Sequence, residues 1–331
     1  MKRLQIVVSL LISAVCLYFA FRNINWDETW HAMAGANYIY IAATVLVSMG
    51  SIWLRAYRWK FMLDPVKKVP VPGLFQSTMI GFMANNILPA RLGEFVRAYA
   101  VGRMFRISKS AAFATIVIER AFDLVTLVLC LGLVLFVQPL SRPIKIMGVV
   151  AISACLLMFA ILVFFRQRRD LVSTFFDGLL KRLPEGSRNR AGRILHSFID
   201  GLEVLARGGH IVVILILSLV MWFSVAWSLD LSMRAFAFQV PYYASLVLLV
   251  VISLGLMIPS GPGFAGTFEA ATIWCLLLFP GIKKEQAASY AIMYHATQFI
   301  PITVLGFYYL WKSKLSLSDA TRSDPTAKGD G

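Results

Sequence analysis

FQSTMIGFMANNILPARLGEFVRAYAVGRMFRISK, residues Phe75–Lys109, decides the fold. The segment starts as an apolar helix through Ile80, Phe82, Met83, Ile87 and Leu88, then meets Pro89. A proline removes a backbone donor and clashes with the preceding turn, so the helix breaks there. Arg91, Glu94 and Arg97 follow at i, i+3 and i+6, near one helical face. Three charges on an otherwise apolar segment have no favourable place against lipid tails. They fit backbone that is buried in protein or lines a polar cavity at membrane depth. Asn85 and Asn86 add side-chain donors beside the break. A cytoplasmic loop leading into a surface helix is the alternative. The apolar continuation through Ala98, Tyr99, Ala100, Val101, Met104 and Phe105 speaks against it.

The rest of the chain sets this break in a membrane. Of 331 residues, 59% are hydrophobic, and the mean hydropathy is +0.73. A soluble domain is nearer half apolar, so an all-α polytopic membrane protein is expected. The net charge of +15 is explained by basic residues retained on the cytoplasmic side. No P-loop, zinc spacing or RNA-binding signature accompanies it, so no cofactor, metal or nucleic-acid partner is expected. Cys16, Cys130, Cys155 and Cys275 lie far apart in apolar runs and read as small core residues. No serine, histidine and acid set for nucleophilic chemistry is legible, so the chain is not expected to be an enzyme.

Spans are expected at about 4–21, 38–62, 110–136, 144–165, 211–238 and 285–311, in one membrane domain covering 1–314. The first is read as an uncleaved anchor starting in the cytoplasm, because no small-x-small site follows it. Asn25–Ala36, with Trp26 and Trp30, reads as a short interfacial helix. Arg55, Arg58, Trp59 and Lys60, followed by Lys67 and Lys68, read as a cytoplasmic cluster at the end of span two. Pro70 and Pro72 are expected to stop any helix there. The basic stretch 166–210 reads as a cytoplasmic loop with amphipathic helices on the inner leaflet. Residues 315–331 carry no core-forming pattern and read as a disordered tail.

A second break lies at Pro259-Ser-Gly-Pro-Gly-Phe-Ala-Gly-Thr-Phe-Glu269. Each break has an apolar half-helix, then proline, glycine and a glutamate opening the next half-helix. Paired interruptions of this kind point to a transporter site built from discontinuous helices. Charge then orients the chain. With re-entrant hairpins at about 75–106 and 242–279, only Arg22, Arg142, Lys145, Arg234, Lys283 and Lys284 of the 32 lysines and arginines fall outside. A single crossing by Phe75–Lys109 would put the basic loop outside instead, against the positive-inside rule. The expectation is about six spans and two oppositely oriented re-entrant hairpins, an inverted repeat with both termini cytoplasmic.

Span three carries Glu119, Arg120 and Asp123. Charges at that depth must face the bundle and pair. Arg120 and Asp123 sit at i, i+3, and Arg91, Glu94 and Arg97 are the expected partners across helices. A buried salt-bridge network fits these residues, and so does a phosphate site using partly neutralised arginines. In the second hairpin, Gly261, Gly263 and Gly266 leave backbone N–H groups before a helix start, which suits an anion. A tight turn uses glycine equally well. Glu269 can favour the helix dipole. Tyr290, Tyr294, His295 and Gln298 form a polar stripe on the last span, and Asp230 with Arg234 forms an i, i+4 pair.

Arg55-Ala-Tyr-Arg58-Trp59, Asn86-Ile-Leu-Pro89-Ala-Arg91-Leu-Gly93-Glu94-Phe-Val-Arg97, Glu119-Arg120-Ala-Phe-Asp123 and Ile258-Pro259 with Gly263 to Glu269 occur in that order. Together they resemble the flippase-like membrane domain family, the transmembrane part of lysylphosphatidylglycerol synthetase/flippase. The resemblance runs from about Leu4 to Lys314. It implies movement of a polar-headed lipid between leaflets of the cytoplasmic (inner) membrane, with membrane lipids as partners. The synthetase domain of the full-length enzyme is absent from this sequence, so lipid synthesis is not implied. The expected substrate-binding set is Asn85, Asn86, Arg91, Glu94, Arg97, Glu119, Arg120, Asp123, Gly261, Gly263, Gly266, Glu269, Tyr294 and His295. Two other readings fit the same sequence: a membrane-embedded transferase on a lipid-linked substrate, and a scaffold for envelope assembly.

Overall fold

The structure is a computed structural model and describes residues 2–88, 92–137 and 208–316, with scattered positions between 146 and 192. Helix is the only regular secondary structure among the described residues. Most of the expected span at 144–165, most of the basic loop 166–210 and the tail beyond 316 lie outside them. So do Pro89, Ala90 and Arg91.

Helix α1 (Lys2–Phe21) bends by 85° into α2 (Trp26–Ala34). Asn25 makes that corner, its Oδ1 accepting from the Asp27 and Glu28 amides at 3.1 and 3.3 Å. Such a cap satisfies N–H groups that the first helical turn leaves open. Trp26 and Trp30 are exposed on the short helix, as an interfacial segment requires. Helix α3 (Tyr38–Leu63) follows, and α7 (Gly208–Ala235) lies along it in the most extensive helix pair. Small and hydroxyl side chains let the two approach closely: Thr44 Oγ1 reaches the Ser228 carbonyl at 3.4 Å. Both helices are long and apolar enough to cross a membrane, and α1 with α2 passes the same test as a bent pair.

Helix α4 (Val71–Ile87) and helix α5 (Gly93–Phe105) form an antiparallel hairpin. The register is read from side chains: Gly73 lies against the Phe105 ring and Gly81 against Arg97. At the tip, Asn85 Oδ1 accepts from the Gly93 amide at 2.7 Å. Pro72 does not stop the helix but starts it, at the first turn of α4. A proline there loses nothing, since that N–H has no helical partner anyway. Helix α6 (Lys109–Val137) then carries the acidic pair.

Helix α8 (Ala244–Gly255) and helix α9 (Thr267–Leu276) make a second antiparallel hairpin around a 3-10 turn at Pro262–Phe264. Gly255 meets Ala271 near its tip, and the Tyr243 and Phe279 rings lie 6.4 Å apart at its base. Helix α10 (Lys284–Lys312) packs along α4. Gly306 makes the close approach, because a Cβ there would strike Met83 and lie 2.8 Å from the Met79 carbonyl.

The two breaks touch. Gly263 adopts φ +66°, a region that favours glycine. A Cβ there would lie 2.7 Å from the Phe299 ring of α10 and 3.3 Å from the Asn86 carbonyl of α4. Asn86 Nδ2 in turn donates to Thr303 Oγ1 at 2.9 Å. Both hairpin tips therefore rest on the same side of α10.

Candidate functional site

A buried charge cluster joins α3, α5, α6 and α7. On α3, Arg55 and Arg58 stand at i, i+3, so both point to one face. Arg55 Nη1 lies 2.8 Å from Glu119 Oε1 and 2.9 Å from Asp123 Oδ2. Arg58 Nη1 lies 2.8 Å from Asp123 Oδ1 and donates to Ser218 Oγ of α7 at 2.7 Å. From the first hairpin, Arg97 Nη1 reaches Glu119 Oε1 at 2.9 Å. Trp222 of α7 donates from Nε1 to Asp123 Oδ1 at 3.1 Å. On the other side, Trp59 Nε1 donates to Thr115 Oγ1 at 2.9 Å.

Arg120 completes the set on α6, 3.3 Å from Glu119 Oε1 and 3.5 Å from Asp123 Oδ2. Its side chain keeps 36% exposure, whereas those of Arg58 and Arg97 keep 0% and 1%. Arg120 is therefore the member of the cluster that reaches the surface.

Four guanidinium groups face two carboxylates here, an excess of two positive charges among the described residues. Donors are in excess as well. Arg58 Nε and Nη2, Arg97 Nε and Nη2, and Arg120 Nε are buried without a hydrogen-bond partner, against one acceptor, Glu119 Oε2. Buried polar groups are ordinarily satisfied, and orphaned ones in such number call for an explanation. An anion with several oxygens would answer both imbalances.

The structure brings Arg97, Glu119, Arg120 and Asp123 together, as the sequence suggests, and adds Arg55 and Arg58 to them. Arg55 and Arg58, read as part of a cytoplasmic basic cluster, are at the centre of the network and buried. Their i, i+3 spacing on an apolar helix beside Trp59 was the available signal; the lysines that follow masked it. Glu94 lies half-buried in the first turn of α5, and no ion pair among the described residues involves it. Arg91 lies outside them. Asn85 caps the α5 tip and Asn86 ties α4 to α10, so both amides serve the fold.

Two of the three glycine amides singled out in the second hairpin are bonded within the protein. The Gly261 N–H donates to Ser13 Oγ at 2.7 Å, and the Gly266 N–H donates to Glu269 Oε2 at 2.6 Å. Helix α1 covers this loop, with Ser13 and Leu17 against Gly266. Glu269 thus caps α9 and also meets His295 Nδ1 at 2.5 Å, while His295 Nε2 lies 2.9 Å from the Gly263 carbonyl. Tyr294 is buried, its hydroxyl 2.9 Å from Ser228 Oγ. The Asp230–Arg234 pair forms at 2.7 Å on the exposed end of α7.

Known proteins are similar to this chain over much of its length. Two proteins of Methanothermobacter thermautotrophicus, each described as a UPF0104 membrane protein, are similar. One is 28% identical over 280 residues, 82% of either chain, and the other 23% identical over 315 residues, 90% of this chain and 93% of the relative. The glycosyltransferase AglD of Haloferax volcanii is 30% identical over 135 residues, 40% of this chain and 22% of that protein. The family model for the lysylphosphatidylglycerol synthase TM region matches residues 6–306. With its helical architecture and membrane-crossing helices, the chain belongs to that family of membrane proteins.

Proposed function

We propose that the chain moves a phosphate-bearing lipid between the leaflets of the cytoplasmic membrane. The observation that carries this reading is the buried excess of two positive charges with unpartnered guanidinium N–H groups. Uncompensated buried charge is costly, so the cluster has a standing demand for an anion. Phosphate oxygens match the planar guanidinium fork. Arg120, the exposed member, meets the headgroup first; Arg97 and Arg58 supply further donors within. The tails stay in the bilayer, and no bond is made or broken, so the chain acts as a carrier and not as an enzyme.

In this reading the chain makes six crossings, with α4–α5 and α8–α9 as re-entrant hairpins entering from opposite faces and both termini in the cytoplasm. Helix length supports it. At ~1.5 Å per residue, the 17 and 13 residues of the first hairpin and the 12 and 10 of the second each fall short of a hydrocarbon core of ~30 Å. Contact between Asn86 and Gly263 supports it too, because tips inserted from opposite faces meet at mid-depth.

A second reading, a transferase on a lipid-linked substrate, draws on the similarity to the glycosyltransferase AglD. One experiment separates the two. Purified protein is placed in vesicles with fluorescently labelled phosphatidylglycerol, and exchange between leaflets is followed. The chain should speed exchange over empty vesicles, and Arg120→Gln should lower the rate at least about tenfold, the worth of one charge-assisted contact. Equal exchange by folded Arg120→Gln and the unaltered chain would sink the assignment of Arg120. A covalently altered lipid would favour the transferase.

A further inference from the structure

The geometry points to a proton-binding site at the second break, formed by His295 and Glu269, whose occupancy holds that break closed. Both ring nitrogens of His295 face acceptors. Nε2 lies 2.9 Å from the Gly263 carbonyl, which can only accept, so Nε2 carries hydrogen. Nδ1 is in hydrogen-bond contact with Glu269 Oε1, which places a hydrogen between them. The pair is either imidazolium with carboxylate or imidazole with carboxylic acid. Both forms hold one proton more than a neutral ring beside an ionised acid.

That proton fixes the loop at two points. His295 holds the Gly263 carbonyl, and Glu269 holds the Gly266 amide at 2.6 Å. Losing it leaves the ring one hydrogen for two acceptors, so one contact must open. With that hydrogen on Nδ1, drawn to the carboxylate, Gly263 loses its anchor, at a position where it touches Asn86 of the first break. Protonation of histidine is the kind of event that moves an interface of this sort within the physiological range.

The surroundings leave the pair to respond by itself. Helix α1 presents Ser13 and Leu17 to the loop, α4 presents the Asn86 carbonyl, and α8 carries no ionisable residue. On α10 the neighbours are Phe299 and Tyr294, the latter bonded to Ser228 of α7. The Phe268 ring of α9 lies 4.5 Å from the imidazole. Helix α2 meets α10 at Ser289, more than a turn away, and α3 meets it through Ser48 and Gln298. No second ion pair reaches either member among the described residues. A proton taken up here is a natural coupling ion; that clause rests on the translocation reading above, whereas the proton site does not.

The test uses the full chain in lipid nanodiscs, with His31, His196 and His210 replaced by glutamine so that His295 is the single histidine. Nitrogen NMR of the imidazole is followed from about pH 5 to about pH 9, with hydrogen exchange of residues 261–266 in parallel. Loss of the extra proton as the pH rises should coincide with faster exchange in the loop. Glu269→Gln keeps an oxygen for the Gly266 amide but cannot share the proton, so the histidine signal should change with pH differently from that of the unaltered chain. His295→Gln should leave loop exchange insensitive to pH. The same histidine titration in the presence and absence of the Glu269 carboxylate would overturn the site, as would pH-independent loop exchange in the unaltered protein. In vesicles carrying labelled phosphatidylglycerol, a pH gradient should change the exchange rate of the unaltered chain but not of Glu269→Gln. Lipid exchange indifferent to the gradient would overturn the coupling and leave translocation standing. An intact proton site in a protein that exchanges no phosphate-bearing lipid would overturn translocation and leave the site standing.

Discussion

The guanidinium carbon of Arg97 lies 3.8 Å from the centroid of the Trp59 ring. One face of the group is thus held by an indole, and one nitrogen by Glu119 at 2.9 Å. This is how α5 is fixed to α3 and α6 at once. Stacking needs the flat, delocalised cation and is lost with an ammonium. Arg97→Lys should keep the charge, cost about 1–2 kcal/mol of stability, and lower lipid exchange more than stability. Thermal unfolding in detergent beside the vesicle assay separates the two effects; an unchanged exchange rate would show that charge alone suffices.

Arg55 and Arg120 make opposite demands. Arg55 bridges both carboxylates from a buried position, so Arg55→Ala removes two short contacts and leaves a buried void, and should cost about 2–4 kcal/mol. Arg120 is partly exposed and its contacts are longer. Arg120→Ala should cost less than about 1 kcal/mol while impairing exchange. Yield and unfolding midpoints of the two variants give the order. The reverse order would mean that the cluster is held mainly from α6.

Glycine substitutions test the first hairpin. A Cβ at Gly93 would run into the Gly81 carbonyl and the Asn85 side chain, whereas one at Gly50 meets nothing within 4 Å. Gly93→Ala should force the tip apart and lower stability by about 1–3 kcal/mol. Gly50→Ala, in the middle of α3, should be neutral or stabilising by about 0.5–1 kcal/mol. Unfolding of both variants checks the contrast, and a harmless Gly93→Ala would remove the case for a tightly closed tip.

Topology is open to direct measurement. With Cys16, Cys130, Cys155 and Cys275 replaced, single cysteines at positions 107 and 188 should resist an impermeant thiol reagent in intact cells, and one at position 283 should react. Labelling at 107 or 188 in sealed cells would exclude the re-entrant arrangement of the first hairpin.

Much of the fold was legible because membrane helices and their interruptions are written in composition. Pro89 and Pro259 with their glycines marked both breaks, and α3, α6, α7 and α10 fall within a few residues of their expected limits. The charged site was legible in part. Glu119, Arg120 and Asp123 stood out because charge inside an apolar helix has no other explanation. Arg55 and Arg58 did not, because they run into Trp59, Lys60, Lys67 and Lys68, and a helix end is where basic residues are expected. What separates them from those lysines is the face of α3 they occupy, which depends on where α6 and α7 lie. The glycine loop hid one partner for a similar reason: the Gly261 amide is met by Ser13, some 250 residues away in sequence.

The contact between Asn86 and Gly263 also constrains how the family can vary. Position 263 has room for a hydrogen and nothing larger, and the atoms that enforce this come from α4 and α10. Neither break is an independent module. A chimera that takes one hairpin from a relative inherits a tip shaped for a different partner. It should fold poorly until the other hairpin and the Phe299 face of α10 are exchanged with it. Three segments distant in sequence thus form a single unit of inheritance.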